Sequence, residues 1–275
     1  MKRFRTHWML PLVALPLGCS SHHERTSETR GAPQREASTE RDADGDEDEG
    51  EEMEESAGKT SASGAAAPVL AGDQTTRSID FAGTPVGSLP PGWRIEGTNQ
   101  KGPLATWKVV ADPSAPGEPN VLALTSPNHD SGSTFNLCWT DQVRFQDGAM
   151  EVSMKPVSGR EDQGGGLIWR AKDKDDYYIC RANPLESNFR VYYVKDASRH
   201  QLASASVAIE TGAWHTIRVE QSGDRIACSL DGKRLLEVRD ATIAGEGGIG
   251  LWTKSDAASE FARLQVTTPA AGGNR

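Results

Sequence analysis

A chain of 275 residues has room for one or two domains, and its formal net charge of −9 is unevenly distributed. Eleven carboxylates lie between Glu40 and Glu55 against the single Arg41, a balance of −11 + 1 = −10, so the rest of the chain is close to neutral. Nucleic-acid binding depends on neutralising phosphates with Lys and Arg, so a near-neutral folded part argues against nucleic acid as a partner.

The first eighteen residues combine a basic start with an apolar run from Trp8 to Leu17, which is too short to cross a membrane. The run is followed by Gly18-Cys19. A small residue before a cysteine at this place resembles a bacterial lipobox, in which the cysteine is acylated and becomes the mature N-terminus. We therefore predict a signal peptide over 1–18, lipidation of Cys19, and an exported protein anchored to the outer membrane or cell surface. The alternative is an ordinary secretory signal in which Cys19 has no role.

The next segment is rich in Ser, Ala, Gly, Thr and charged residues and has no periodic apolar face. Burial of side chains therefore cannot offset the entropy cost of ordering it. We predict that residues 19–76 form a disordered acidic linker that acts as a self-repelling spacer; the alternative for its acidic block is a calcium- or wall-interacting segment. The domain that can fold is then 77–268, followed by a disordered tail at 269–275.

Between residues 77 and 268 the sequence predicts short β-strands separated by turn residues, and no window has helical periodicity. The predicted strands are 77–81, 106–110, 121–125, 133–139, 149–157, 167–170, 177–182, 189–194, 201–207, 214–220, 225–230, 235–239, 248–252 and 260–266. This many short strands at regular spacing predict an all-β, two-sheet antiparallel sandwich.

The stretch from Gly164 to Tyr193 contains three of these strands and most of the side chains that could meet a ligand. Polar loops at 172–176 and 183–188 separate the three strands, which predicts an antiparallel meander. Side chains alternate along a strand, so Leu167 and Trp169 are expected on one face and Ile168 and Arg170 on the other. The next strand divides in the same way: Tyr177, Ile179, Arg181 and Asn183 against Tyr178, Cys180 and Ala182. We expect a core on one face and a semi-apolar groove bearing arginine and tyrosine on the other.

Several short motifs lie at strand and turn positions along this domain. They are Pro91-Gly92-Trp93, Trp107-Lys108-Val109, Gly165-Gly166-Leu167-Ile168-Trp169-Arg170, Asp176-Tyr177-Tyr178, Arg181-Ala182-Asn183-Pro184, Trp214-His215-Thr216-Ile217-Arg218-Val219, Leu230-Asp231-Gly232 and Gly247-Gly248-Ile249-Gly250-Leu251-Trp252. Together they resemble the concanavalin A-like lectin and glucanase jelly rolls, and within them the bacterial branch with laminin-G-like domains and 3-keto-disaccharide hydrolases. The resemblance covers about 77–268 and implies a jelly-roll fold, which by itself does not define an activity.

Glycosidase chemistry is not predicted by the residues themselves. A retaining glycosidase needs two carboxyl groups about 5 Å apart, and the Glu-x-Asp-x-x-Glu pattern that supplies them in family-16 glucanases of this fold is absent from the folded part. The 3-keto-disaccharide hydrolases usually show Asn-Ser-Gly before the central arginine strand and Gly-Tyr-Glu after it. Here those positions read Gln163-Gly164-Gly165-Gly166 and Asp176-Tyr177-Tyr178-Ile179. The carboxylate expected from the resemblance is therefore missing, and Glu151, Glu161-Asp162 and 173–176 are read as solvated carboxylates.

No cofactor is predicted. The histidines His22, His23, His129, His200 and His215 have no cysteine or carboxylate neighbours at ligand spacing. The glycine run 164–166 lacks the features of a phosphate loop and is better explained by close backbone approach. Asp173, Asp175 and Asp176 could help to bind calcium, but Ca²⁺ takes six or more oxygen ligands, so we interpret this segment as a plain hairpin loop.

The cysteines remaining after Cys19 all lie within apolar strand patterns, namely Cys138, Cys180 and Cys228. One pair could form a disulfide, but nothing in the spacing resembles a disulfide framework, so buried free thiols are expected.

Carbohydrate binding is the function that the residue types of the central stretch favour, because sugars are recognised by aromatic rings together with planar polar groups. Seven residues in the central stretch have the right types: Trp169, Arg170, Tyr178, Arg181, Asn183, Arg190 and Tyr192. The alternative is structural, since a strand tryptophan usually belongs to the core and Arg170 can pair with a loop carboxylate.

Three functions follow from this reading. The first is non-catalytic binding of a carbohydrate or a cell-envelope partner. The second is a divergent hydrolase of glycosides or 3-keto-disaccharides, with Arg170 and a loop carboxylate such as Glu186 in its site. The third is a structural or protein-interaction domain of the envelope without a sugar site.

Overall fold

The computed structural model describes residues 73–127 and 133–270, and these contain fifteen β-strands and no helix. The strands of the first half are β1 (Gln74–Ile79), β2 (Arg94–Thr98), β3 (Thr106–Ala111), β4 (Asn120–Ser126), β5 (Phe135–Phe145), β6 (Gly148–Ser158), β7 (Gly165–Ala171) and β8 (Tyr177–Asn183). Those of the second half are β9 (Asn188–Lys195), β10 (Ser198–Ser206), β11 (His215–Ser222), β12 (Arg225–Leu230), β13 (Lys233–Arg239), β14 (Gly247–Lys254) and β15 (Ala258–Pro269).

The strands form two antiparallel sheets, so the predicted all-β jelly-roll sandwich is confirmed. Sheet A has the order β13-β12-β11-β6-β15-β4-β3, with β1 also paired to β15, and sheet B has the order β10-β9-β8-β7-β14-β5-β2. The predicted strands correspond to β1 and to β3 through β15, whereas β2 was not predicted. The antiparallel meander β7-β8-β9 lies within sheet B as predicted.

The main core lies between the two sheets and contains side chains from both. In sheet B it includes Leu167 and Trp169 of β7, and the Trp169 ring stacks on Tyr178 of β8 with centroids 5.4 Å apart. The three thiols Cys138, Cys180 and Cys228 are buried in the same core and free, as predicted. The glycine run also acts as predicted, because a Cβ at Gly166 would lie 2.0 Å from the carbonyl oxygen of Cys180.

A second apolar cluster covers the opposite face of sheet B, which we call the outer face. All its members belong to sheet B and are buried: Phe135, Leu137, Trp139, Ile168, Ala171, Tyr177, Ile179, Tyr192, Val194 and Trp252. Arg199 of β10 adds its guanidinium group, which lies 4.7 Å from the ring centroid of Tyr192 and 5.2 Å from that of Phe135. The predicted division of β8 is confirmed, since Tyr177 and Ile179 lie on the outer face and Tyr178 and Cys180 in the main core.

Arg170 departs from the predicted alternation in β7. Its φ is +49°, and the register between β14 and β7 shifts next to it, which marks a β-bulge. The bulge directs the guanidinium group to one end of the sandwich, where it donates to the carbonyl oxygens of Gln146 (2.9 Å), Ile243 (3.1 Å) and Gly223 (3.0 Å). It also pairs with the carboxylate of Asp147 at 3.2 Å. Arg170 therefore joins three separate turns and does not share the outer face with Ile168.

Several predictions concern residues outside the described ranges. They are the signal peptide at 1–18, the lipidation of Cys19, the acidic block of the linker, and the histidines His22, His23 and His129. The first described strand begins at Gln74 and the last ends at Pro269, slightly beyond the predicted domain limits of 77 and 268. Within 73–127 and 133–270, no helix is long and apolar enough to cross a membrane.

Candidate functional site

A group of polar side chains lies at the hairpin end of β8 and β9, on the outer face of sheet B. The antiparallel register places Arg181 opposite Arg190 and Asn183 opposite Asn188, and the hairpin turn between the strands carries Glu186. With Tyr192 from β9 and Asp162 from the loop before β7, these residues form what we call the Arg181 cluster. Its members are Asp162, Arg181, Asn183, Glu186, Asn188, Arg190 and Tyr192.

Arg181 is the central group of this cluster. Its side chain is only 1% exposed, and it donates to Asn188 Oδ1 (2.8 Å), Glu186 Oε2 (2.8 Å) and the Tyr192 hydroxyl (3.1 Å). Its Nε is also buried and has no hydrogen-bond partner among the described residues. The guanidinium group is thus fixed in one orientation by three neighbours, because its donors form a planar and rigid fork.

Glu186 is a solvent-accessible member of the cluster, with 37% of its side chain exposed. Burial favours a higher pKa for this carboxyl, but the charge and hydrogen bond of Arg181, the Asn188 amide and the charge of Arg190 lower the pKa to about 2. Arg190 lies 3.4 Å from the same carboxylate oxygen, and its Nε donates to Ser204 Oγ at 3.0 Å. The cluster therefore offers a fixed, ionised acceptor beside a cationic donor at neutral pH.

Asp162 is the buried carboxyl of the cluster, with 1% of its surface exposed. Its Oδ1 accepts hydrogen bonds from the backbone N–H of Gly164 (2.6 Å) and from Asn183 Nδ2 (3.2 Å). Burial raises the pKa of Asp162, and the opposing charge of Arg181 and the Gly164 hydrogen bond do not outweigh it. The sequence-based interpretation of Asp162 as a solvated turn carboxylate is therefore wrong, because the loop folds the side chain inward.

The raised pKa of Asp162 predicts a pH dependence of stability. The folded state holds this proton more tightly than the unfolded state, so the free energy of unfolding should fall as the pH rises from about 4 through the folded pKa. Asn at this position keeps an oxygen for the Gly164 N–H but cannot titrate. We expect Asp162→Asn to lack that part of the fall when urea denaturation is followed from pH 4 to pH 8. Asp173→Asn, in an exposed loop, should retain the wild-type profile, and an unchanged profile in Asp162→Asn would contradict the assignment.

The structure divides the seven predicted site residues among three places. It brings together Arg181, Asn183, Arg190 and Tyr192, all within the Arg181 cluster. Trp169 and Tyr178 lie between the sheets, where Trp169 Nε1 donates to Gln221 Oε1 and the Tyr178 hydroxyl donates to Asp240 Oδ1, both at 2.5 Å. Arg170 lies at the end of the sandwich in the contacts described above.

Sequence reasoning missed two members of the cluster and named a third only for the hydrolase hypothesis. Asn188 and Asp162 were not proposed as site residues, and Glu186 was. The usable signal for Asn188 was its place opposite Asn183 across a predicted hairpin. No comparable signal existed for Asp162, because its contact with Asn183 depends on how the loop before β7 folds back.

The loop carboxylates considered for calcium have other contacts. Asp175 pairs with Lys174 at 2.5 Å, and Asp176 accepts the backbone N–H of Asp196 at 3.0 Å. Across 73–127 and 133–270 there is no group of three or more His, Cys, Asp and Glu side chains arranged to hold a metal ion. Of the two described histidines, His200 stacks on Tyr193 and His215 bonds Asp231.

Comparison with known proteins gives a match to one family. The sequence model of the 3-keto-alpha-glucoside-1,2-lyase-like domain matches residues 87–267, which include the whole Arg181 cluster. A search of curated proteins found no match.

Solved structures of similar shape include two from bacilli. A carbohydrate-binding module, CBM66 from Bacillus subtilis, is 19% identical with a TM-score of 0.49, and the alignment covers 66% of this chain and 99% of the module. A beta-glucanase from Bacillus licheniformis is 13% identical with a TM-score of 0.45, and the alignment covers 70% of this chain and 98% of the enzyme.

Proposed function

We propose that this chain, which belongs to the 3-keto-alpha-glucoside-1,2-lyase-like family, binds a carbohydrate at the Arg181 cluster of its sandwich domain without catalysing a reaction. The observation that carries this proposal is the fixed polar array in which Arg181 holds the ionised Glu186 at the protein surface. Sugar hydroxyls both donate and accept hydrogen bonds, so they suit a carboxylate that lies beside a guanidinium group.

Preorganisation supports the proposal. Arg181 and Asn188 each donate to Glu186 Oε2, at 2.8 and 2.9 Å, so the carboxylate needs little further ordering when a ligand arrives. The low pKa of Glu186 makes it a stable acceptor and a poor proton-abstracting base at neutral pH, which favours binding over acid-base catalysis.

The direct test is a screen of the whole chain against a panel of glycans and polysaccharides, with product release assayed in the same wells. We expect binding without release. In Glu186→Gln the amide keeps the shape of the side chain but loses the charge, so we expect affinity for the best binder to fall about 10- to 100-fold, since hydrogen bonds to charged groups contribute about 1.5–3 kcal/mol. Isothermal titration calorimetry measures this loss.

The control is Glu237→Gln, which removes a carboxylate paired with Arg225 on sheet A. It should bind as the wild type does. Binding at wild-type strength by Glu186→Gln would move the site away from the Arg181 cluster. If the wild type neither binds nor cleaves any glycan of the panel, the result would favour a structural or protein-interaction domain of the envelope.

A second candidate function is cleavage of a glycoside or a 3-keto-disaccharide. The observation that favours it is the buried carboxyl of Asp162, whose pKa is raised by burial. Its Oδ1 lies 2.6 Å from the backbone nitrogen of Gly164, and the charge of Arg181 also acts on it. A carboxyl group with a raised pKa is suited to proton transfer at moderate pH. Release of product by the wild type and its loss in a folded Asp162→Asn variant would establish this function in place of simple binding.

The proposed location is the bacterial cell envelope, with the domain attached through acylated Cys19. Its support is the apolar run from Trp8 to Leu17 that is followed by Gly18-Cys19. Labelling with a clickable fatty acid should modify the wild type and not Cys19→Ala, and unlabelled wild type would contradict the anchor.

A further inference from the structure

We infer that Asp256, in the turn between β14 and β15, is a positioning residue that fixes Asp162 within the Arg181 cluster. Its importance for ligand binding rests on the proposed function, whereas its hold on Asp162 is a separate claim about the structure. Asp256 lies outside the cluster and was not selected from the sequence.

The carboxylate of Asp256 accepts hydrogen bonds from three consecutive backbone N–H groups in the loop between β6 and β7. Oδ2 accepts from Arg160 (2.7 Å), and Oδ1 accepts from Glu161 and from Asp162, both at 3.0 Å. Successive amides that point at one anion form a concave nest, and hydrogen bonds to an ionised acceptor are strong. Burial favours a higher pKa for Asp256, but the three backbone hydrogen bonds lower it, so the acceptor is ionised at neutral pH.

The turn that carries Asp256 is itself attached to sheet B. The backbone N–H of Ser255 donates to the carbonyl oxygen of Thr134 at 2.9 Å, and the buried Asn136 of β5 donates through Nδ2 to the carbonyl oxygen of Ser255 at 3.0 Å. Asp256 is therefore held by the rigid sheet and can hold the loop in turn.

The loop between β6 and β7 carries Asp162, the buried carboxyl of the Arg181 cluster. The third bonded amide belongs to Asp162, whose carboxyl contacts Gly164 and Asn183 as described above. At the start of the loop Gly159 has a φ of +152°, and a Cβ there would lie 1.8 Å from the carbonyl oxygen of Asp162. The loop is thus folded tightly on itself, and the nest around Asp256 sets the point from which Asp162 enters the cluster.

The experiment compares Asp256→Ala and Asp256→Asn with the wild type in the whole chain. In Asp256→Ala we expect faster amide hydrogen exchange at 160–162, unchanged exchange in β8, and a changed pH midpoint for the Asp162 carboxyl in an NMR titration. Affinity for the best glycan of the screen should fall at least tenfold. Asp256→Asn keeps one oxygen acceptor and should lie between the two. If Asp256 stabilised the fold without fixing Asp162, the titration of the Asp162 carboxyl would be the same in Asp256→Ala as in the wild type.

The matched control is Asp231→Ala, which removes a carboxylate that accepts the Thr216 N–H at 2.7 Å in the turn between β12 and β13 of sheet A. It should change neither the Asp162 titration nor the affinity. Unchanged exchange and titration in Asp256→Ala would overturn the positioning role, and changed exchange with wild-type affinity would overturn its relevance to binding. If the wild type binds no glycan, the proposed function fails, while the exchange and titration data still decide whether Asp256 fixes Asp162.

Discussion

Replacing Arg170 by alanine is expected to lower the free energy of unfolding by about 2–4 kcal/mol, because its nearly buried guanidinium group makes four hydrogen bonds that usually contribute about 0.5–1.5 kcal/mol each. Three carbonyl oxygens, those of Gln146, Gly223 and Ile243, would lose the donor that the guanidinium group supplies. The loss is largest at Ile243, which is buried, so its carbonyl oxygen would have no water in place of the donor, whereas Gln146 and Gly223 are exposed residues. For a domain of this size the loss corresponds to a fall in melting temperature of roughly 2–4 °C per kcal/mol.

Chemical denaturation and thermal melting measure this effect. Arg239→Ala is the matched control, because that arginine pairs with Asp224 with 72% of its side chain exposed and should contribute less than about 1 kcal/mol. Equal stability of the two variants would show that Arg170 does not join the three turns. Because of this structural role, loss of ligand binding in Arg170→Ala alone would be no evidence for a contact between Arg170 and the ligand.

Local sequence patterns predicted most of the fold. Alternation and turn residues identified fourteen of the fifteen described strands, because most of them have apolar residues that the sheet buries on at least one side. The missed strand, β2, reads Arg-Ile-Glu-Gly-Thr and lies at the edge of sheet B, paired only with β5. A short edge strand with a glycine and two charged residues has no pattern of its own, and its pairing with β5 determines it.

The site was predicted only in part, for reasons that can be stated residue by residue. Arg181 and Asn183 could be placed on one face because strand alternation holds in β8, whereas Tyr192 joins them only through the register of β8 with β9, in which it lies opposite Ile179. Arg170 could not, because its positive φ and the bulge in β7 reverse the alternation, and nothing in the printed sequence marks a bulge there. Asp162 depends on contacts between the loop before β7 and the turn after β14, which are ninety-four residues apart in sequence.

Replacing Arg181 by methionine is expected to abolish measurable carbohydrate binding and to lower the free energy of unfolding by about 3–5 kcal/mol, because two carboxyls would lose the same counter-charge. Glu186 is partly exposed and can be solvated, so most of the stability loss should come from the buried Asp162. The pKa of Glu186 should also rise from about 2 towards its ordinary value of 4.5, since the charge of Arg181 is the largest influence that lowers it.

Two further variants separate the effect on folding from the effect on binding. Arg181→Met combined with Asp162→Asn removes the uncompensated buried charge, so it should recover much of the stability while binding stays absent. Arg181→Lys keeps the charge but cannot donate in one plane to Asn188, Glu186 and Tyr192, so it should fold and bind at least tenfold more weakly than the wild type. If the double variant regained both stability and binding, Arg181 would act only by neutralising Asp162. The ligand would then be recognised by Glu186 and Arg190 without the fixed fork beneath them.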